Sequence, residues 1–220
     1  MSDRLRVGLE VTDRKVFAAV LDWPGWCRSG RDASAALEVL AAYGDRYAAV
    51  ASIAGRAFAH GRDPVFDVVE ELPGNATTAF GAPDVRFAAD QRRTTAADAE
   101  GLAAIVGAAW TLFDRVAAGA PAELRKGPRG GGRDRDKVVA HVVGADGGYA
   151  RAIGIKHPDV DPSDNAARDA LRADVLAVLR RPSDGSPIAG KKWPPRYAAR
   201  RIAWHALDHA WEIEDRSETR

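Results

Sequence analysis

The chain has 220 residues, 46% of them hydrophobic and 29% charged, a balance that suits a globular protein of one large or two small domains with a buried core. Its net charge of +1, from 32 basic against 31 acidic residues, provides no whole-molecule field for nucleic acid or an anionic membrane. The lone cysteine, Cys27, excludes an internal disulfide and a cysteine-rich zinc site. The start, Met1-Ser2-Asp3-Arg4-Leu5-Arg6, has no apolar leader core, and no run comes near the roughly 18 apolar residues of a membrane span, so the expected location is cytoplasmic.

Residues 1–72 read as a small α/β domain. Arg6-Val7-Gly8-Leu9-Glu10-Val11 alternates as a half-buried strand does, and Val16-Phe17-Ala18-Ala19-Val20-Leu21 is an apolar run suited to a second. A Pro24-Gly25 turn and a short Trp26-Cys27-Arg28-Ser29 segment follow. Asp32 then caps a helix with Ala36, Leu37, Leu40, Ala41 and Ala48 on one face, and Val65-Phe66-Asp67-Val68-Val69 closes the unit as a strand. Residues 73–93, with Pro73-Gly74-Asn75 and Gly81-Ala82-Pro83, lack periodicity and read as a linker.

From Thr94 the pattern turns helical. Thr95 with Asp98 makes a capping box, and Leu102, Ile105, Val106, Ala109, Phe113 and Val116 keep the spacing of a buried stripe. Gly127-Pro128-Arg129-Gly130-Gly131-Gly132-Arg133 must be a loop. A second helix spans about Asp136 to Ile153. After Pro158 to Asp164, Ser163 or Asp164 caps a third with the stripe Ala167, Leu171, Val175 and Leu179. A fourth runs from Pro194-Pro195 to about Asp215. The expected fold class is therefore α+β, a small α/β domain followed at 94–220 by an up-and-down four-helix bundle, whose longer loops leave the order of helices around the core open.

His205 and His209 lie one turn apart on the fourth helix and share a face with Ile202, Ala206 and Ile213. Burying neutral imidazoles is costly unless their nitrogens find partners, and a divalent ion serves several at once. His141 on the second helix supplies a third ligand if it faces the pair, leaving an open coordination position as in catalytic zinc sites. Glu212 projects near the same face, as an outer partner or a fourth ligand, while Asp208 and Glu214 point to the sides. His60 and His157 sit beside Gly61 and Pro158 in loops and are left out. Gly144 and Gly148 follow His141 on its own face; either the helices pack closely there or space is kept for a ligand, with Tyr149 at the rim as a hydroxyl donor or a core residue.

The run Val16 to Gly30, a strand ending in a Pro-Gly turn and a Ser-Gly step before an Ala/Leu helix, resembles the HicB-like antitoxin fold. Val138-Val139-Ala140-His141-Val142-Val143-Gly144-Ala145, Tyr149 and His205-Ala206-Leu207-Asp208-His209-Ala210-Trp211-Glu212 resemble the DinB-like superfamily over residues 94–216. These are four-helix bundles that include thiol-dependent transferases and maleylpyruvate isomerases. The resemblance implies a metal triad of His141, His205 and His209, with zinc or nickel as the ion. It also implies a low-molecular-weight thiol held as thiolate for attack on a small electrophile, with Gly144, Gly148 and Tyr149 beside it. The isomerase branch carries a glutamate at the position of His205, so that particular reaction does not transfer, and no catalytic residue is assigned. The thiol is not expected to be Cys27, which belongs to the other domain. The basic loop from Arg125-Lys126 to Arg133 and Arg135 reads either as a grip for carboxylates or as a solvated loop with Asp134 and Asp136 interleaved. Expected partners are a small-molecule substrate or thiol, with no nucleic acid, no membrane and a homodimer left open. The competing function is a binding or scaffold protein whose HicB-like half docks a protein or nucleic acid.

Overall fold

The computed structural model describes residues 4–60, 63–127 and 131–217. Met1-Ser2-Asp3, Gly61, Pro128-Arg129-Gly130 and residues 218–220, all touched by the readings above, lie outside the described residues. Among the described residues the fold is α+β, with one four-stranded sheet and seven α-helices.

Strands β1 (Leu5–Val11) and β2 (Val16–Val20) form an antiparallel hairpin with Val7 opposite Val20, closed where Thr12 donates its N–H to the Lys15 carbonyl at 2.9 Å. Strand β3 (Cys27–Gly30) pairs with β2. Helices α1 (Ala33–Ala42) and α2 (Gly44–Ile53) then make the crossover that a parallel pair requires, and β4 (Phe66–Pro73) returns parallel to β1, giving the order β3-β2-β1-β4. β2 is buried at every position because both faces of the sheet are covered. Val16, Ala18 and Val20 face the side of α1 and α2, while Phe17 and Ala19 meet Phe87 and Trp204.

Asp32 caps α1 as its sequence position indicates, accepting the N–H of Ala35 at 2.9 Å. The single helix expected through Ala48 is broken at Tyr43. The Tyr43 ring meets Trp211 at 4.9 Å and the Arg28 guanidinium at 4.3 Å, long-range contacts that override a local helical pattern already weakened by Gly44.

The 73–93 stretch, read as a linker, is packed. It holds the short helix α3 (Ala76–Phe80) and a 3-10 turn at Ala88–Gln91, and it buries Phe87. The Glu10 carboxylate, buried in β1, accepts the N–H groups of Asp84 at 2.9 Å and Val85 at 3.1 Å and the Thr78 hydroxyl, tying the stretch to the sheet. Gly8 lets Phe87 approach: a Cβ there would stand 2.6 Å from the ring.

The long helices are α4 (Ala96–Gly119), α5 (Arg135–Ala152), α6 (Asn165–Leu179) and α7 (Pro195–Ser217). Thr95 and Asp98 form the expected capping box on α4, and Asp164 rather than Ser163 caps α6. An 18-residue window of α4 has mean hydropathy 1.3, long and apolar enough for a membrane span, which corrects the statement that no run comes near one. In the fold, α4 lies against α2, α6 and α7 with its apolar stripe in the core. The closest helix pairs are α4 with α7 and α6, and α5 with α7 and α6. An up-and-down order would put each helix beside its predecessor. Here α5 and α6 are such neighbours, while α4 packs chiefly on α7.

One apolar core runs from the sheet into the four helices without interruption. The seam is the turn after β2. Trp26 donates to the Leu40 carbonyl at 2.9 Å and stacks on Tyr47 at 5.3 Å, and Gly25, with φ +89°, presses onto α7. A Cβ at Gly25 would stand 2.8 Å from Leu207 Cδ1 and 2.9 Å from Ala203 Cβ. Gly25→Ala is therefore expected to cost roughly 2–4 kcal/mol, the sum of a left-handed backbone and an overpacked contact. Gly55→Ala, also left-handed but facing open space, should cost about 1 kcal/mol. Urea denaturation of both variants measures the difference.

Between α4, α5 and α6 sits a buried charge. Asp146 accepts from Trp110 Nε1 at 3.2 Å and lies 3.6 Å from Arg172, which also binds Asp114 at 2.6 Å. Burial outweighs Arg172 and pushes the Asp146 carboxyl up to about 7. The folded chain thus keeps a proton that the unfolded chain releases, so this residue's contribution to stability falls as pH rises from about 4 to 7. Asp146→Asn should remove that slope. Its stability relative to the parent is expected to improve by a few kcal/mol between pH 4 and pH 8 in denaturant titrations, whereas a constant difference would refute the buried carboxyl as its source.

Candidate metal centre

The α5–α7 contact brings together three side chains that lie on two separate helices of the sequence. His141 projects from the middle of α5, and His205 and His209 from consecutive turns of α7. One ligand nitrogen from each lies within 4.8 Å of the others, and His141 Nε2 stands 3.2 Å from His205 Nε2. Imidazole nitrogens on a tetrahedral zinc ion, each about 2.0–2.1 Å from it, are roughly 3.3 Å apart, so this pair is already at ligand spacing. The three rings meet at centroid distances of 4.7–5.0 Å. Zinc and nickel both accept such a nitrogen set.

The surroundings favour the neutral form of His141 and His205. His205 is buried, and desolvation, followed by the neighbouring His209 and His141, holds its pKa well below the ordinary imidazole value. His141 is half-buried and shifted the same way, first by desolvation and then by His209. Both side chains therefore offer lone pairs at and below neutral pH, the state a metal requires.

Glu212 orients His209. One carboxylate oxygen accepts a hydrogen bond from His209 Nδ1 at 2.7 Å, and the other accepts from Arg216 at 2.7 Å. The His209 bond comes first among the causes that hold the Glu212 carboxyl below its usual range. Of the two positions foreseen for Glu212 it takes that of a partner to a histidine, and the arginine four residues on is readable from sequence as an i, i+4 pair. His205 has no such partner: its Nδ1 is buried without a hydrogen bond. Asp208 turns aside, as expected, to meet Arg28 at 2.9 Å.

Around the triad, a Cβ added at Gly144 or Gly148 would meet nothing within 4 Å, so close helix packing does not account for either glycine. Tyr149 closes one side, its ring 5.5 Å from His205 and 5.3 Å from Trp193, with Arg201 at 5.9 Å. Trp193 and Arg201 belong to this wall but carry no spacing signal that would have singled them out. His60 packs against Trp23 and Phe58, and His157 Nδ1 faces the Pro158 carbonyl; neither joins the triad. Cys27 is fully buried, and desolvation raises its thiol to about 12, which removes it as a nucleophile. In the basic loop Lys126 pairs with Asp134, and Arg135 with Asp136 at 2.8 Å.

Comparisons with protein-family models, curated proteins and solved structures found no match.

Glu212→Gln keeps the shape but removes the charged acceptor that fixes the His209 tautomer. Zinc affinity, read by competition with a chromogenic chelator, should fall about 10–100-fold with little change in melting temperature of the metal-free protein. An unchanged affinity would show that Glu212 does not support the site.

Proposed function

We propose that this protein binds a divalent ion, zinc or nickel, through His141, His205 and His209 and uses it in the transfer of a low-molecular-weight thiol to a small electrophile. The observation that carries the reading is the convergence of three imidazoles from two facing helices, one of them held by Glu212. A bound ion would keep a thiol deprotonated at neutral pH, the form that attacks electrophilic carbon. Three imidazoles leave a coordination position for that sulfur. Gly144 and Gly148 leave room for the thiol's body, and Tyr149 with Trp193 forms an aromatic wall against which an apolar electrophile packs. Cys27, buried and protonated, leaves the sulfur to come from outside the chain.

In this reading α4–α7 form a bundle of the DinB-like kind and the sheet half is HicB-like, as the sequence resemblances imply. The near-neutral charge supports a small molecule rather than nucleic acid as partner.

The test is metal content by mass spectrometry on untagged protein beside a His141→Ala, His205→Ala, His209→Ala variant whose fold is checked by circular dichroism. Near-stoichiometric zinc or nickel in the parent and its loss in the folded variant are expected. No metal in the parent after incubation with either ion would make the histidines core residues and favour a binding or scaffold role.

A further inference from the structure

We infer that Arg201 and Tyr149, beside the triad, hold the carboxylate of a small molecule. Arg201 lies one turn before His205 on α7 and is half-buried, a position where a cation ordinarily has an anionic partner. Among the described residues it has none. Its Nη1 donates to the Pro83 carbonyl at 2.6 Å, and its guanidinium lies 4.9 Å from the Trp204 ring and 5.9 Å from that of Tyr149. Asp84, the acid beside Pro83, accepts instead from Asn75 at 3.0 Å and from Tyr197 at 3.2 Å.

The guanidinium keeps a donor free. Its Nε is enclosed without a partner, but Nη2 makes no hydrogen bond and retains contact with solvent. The Tyr149 hydroxyl lies close to the same guanidinium and is not enclosed either. Two neighbouring donors match the two oxygens of a carboxylate, and the bond to the cation is of the stronger, charge-assisted kind. The surrounding charges agree. Glu212 is matched by Arg216, whereas Arg133, a cation that acts on both His141 and His205, has no ion pair among the described residues. One turn of helix, a rise of roughly 6 Å, separates Arg201 from His205, so a carboxylate at the first and a sulfur at the triad fit one short molecule. The thiol end rests on the metal reading above; the carboxylate grip does not.

The test titrates zinc-loaded protein with mercaptopropionate and mercaptopropanol, and metal-free protein with propionate and propanol, by ligand-observed NMR. The acid is expected to bind about tenfold more tightly than the matched alcohol in both forms. Arg201→Gln should bring that preference close to unity, Tyr149→Phe should reduce it, and Arg201→Lys, which keeps the charge, should retain part of it. Melting curves and metal content are measured for every variant. In the parent, the side-chain NMR signal of Arg201 should move on addition of the acid and not of the alcohol. Equal binding of acid and alcohol by the parent, an unchanged preference in folded Arg201→Gln, or an Arg201 signal that stays in place would overturn the proposal, the first and last whether or not any variant folds. If the metal reading alone fails, zinc is absent while propionate is still preferred over propanol; if the grip alone fails, zinc is retained and the preference is missing.

Discussion

Helix α7 is enclosed on nearly every side, and the rest of the structure depends on how its polar groups are satisfied there. α4 lies along it, α5 crosses it at the histidines, the Pro24-Gly25 turn presses on Ala203 and Leu207, and the 83–90 stretch covers its first turns. A buried polar group without a partner costs about 1–3 kcal/mol, more if charged, so each one on such a helix calls for a counterpart. Arg200 has the Asp90 carboxylate at 2.6 Å and the Val85 carbonyl at 3.0 Å, and Asp208 has Arg28. His209 has Glu212. His205, the most buried of the triad, has only the nitrogen of another neutral imidazole on one side and nothing on the other. Where His205, His141 and His209 meet, the imidazole nitrogens have few partners other than one another.

The same enclosure makes the two halves of the chain one packing unit. Arg28 shows how: it leaves the sheet, lies over Tyr43 and Trp211, and pairs with Asp208 of α7. Arg46 and Tyr43 bind Asp215 near the end of the same helix. The sheet half thereby clamps the outer face of α7 while α5 meets its inner face, so the histidine positions are set from both sides. Rigid placement of this kind is what a ligand set needs, since about 1 Å of error changes coordination.

Local signals were legible in the sequence and long-range ones were not. Thr95, Asp98 and Asp164 act within a few residues, and the stripes of α4 and α6 follow from a spacing that any helix imposes, so those elements could be read directly. The convergence of the three histidines could be anticipated because HxxxH puts two of them on one face of a helix and His141 lies on a facing one. What escaped the sequence is what partners decide. The break at Tyr43 comes from Trp211 and Arg28. The packing of 73–93 comes from Glu10 and Gly8, which lie far back in the chain. Arg216, by contrast, was within reach, because its spacing from Glu212 is that of an i, i+4 pair.

X-ray absorption at the metal edge, on protein loaded with zinc and then with a thiol, tests the central claim most directly. Three nitrogen neighbours at about 2.0–2.1 Å, joined on thiol addition by one sulfur at about 2.3 Å, are the result this account predicts. A first shell without imidazole scattering, or one that does not change when thiol is added, would contradict it.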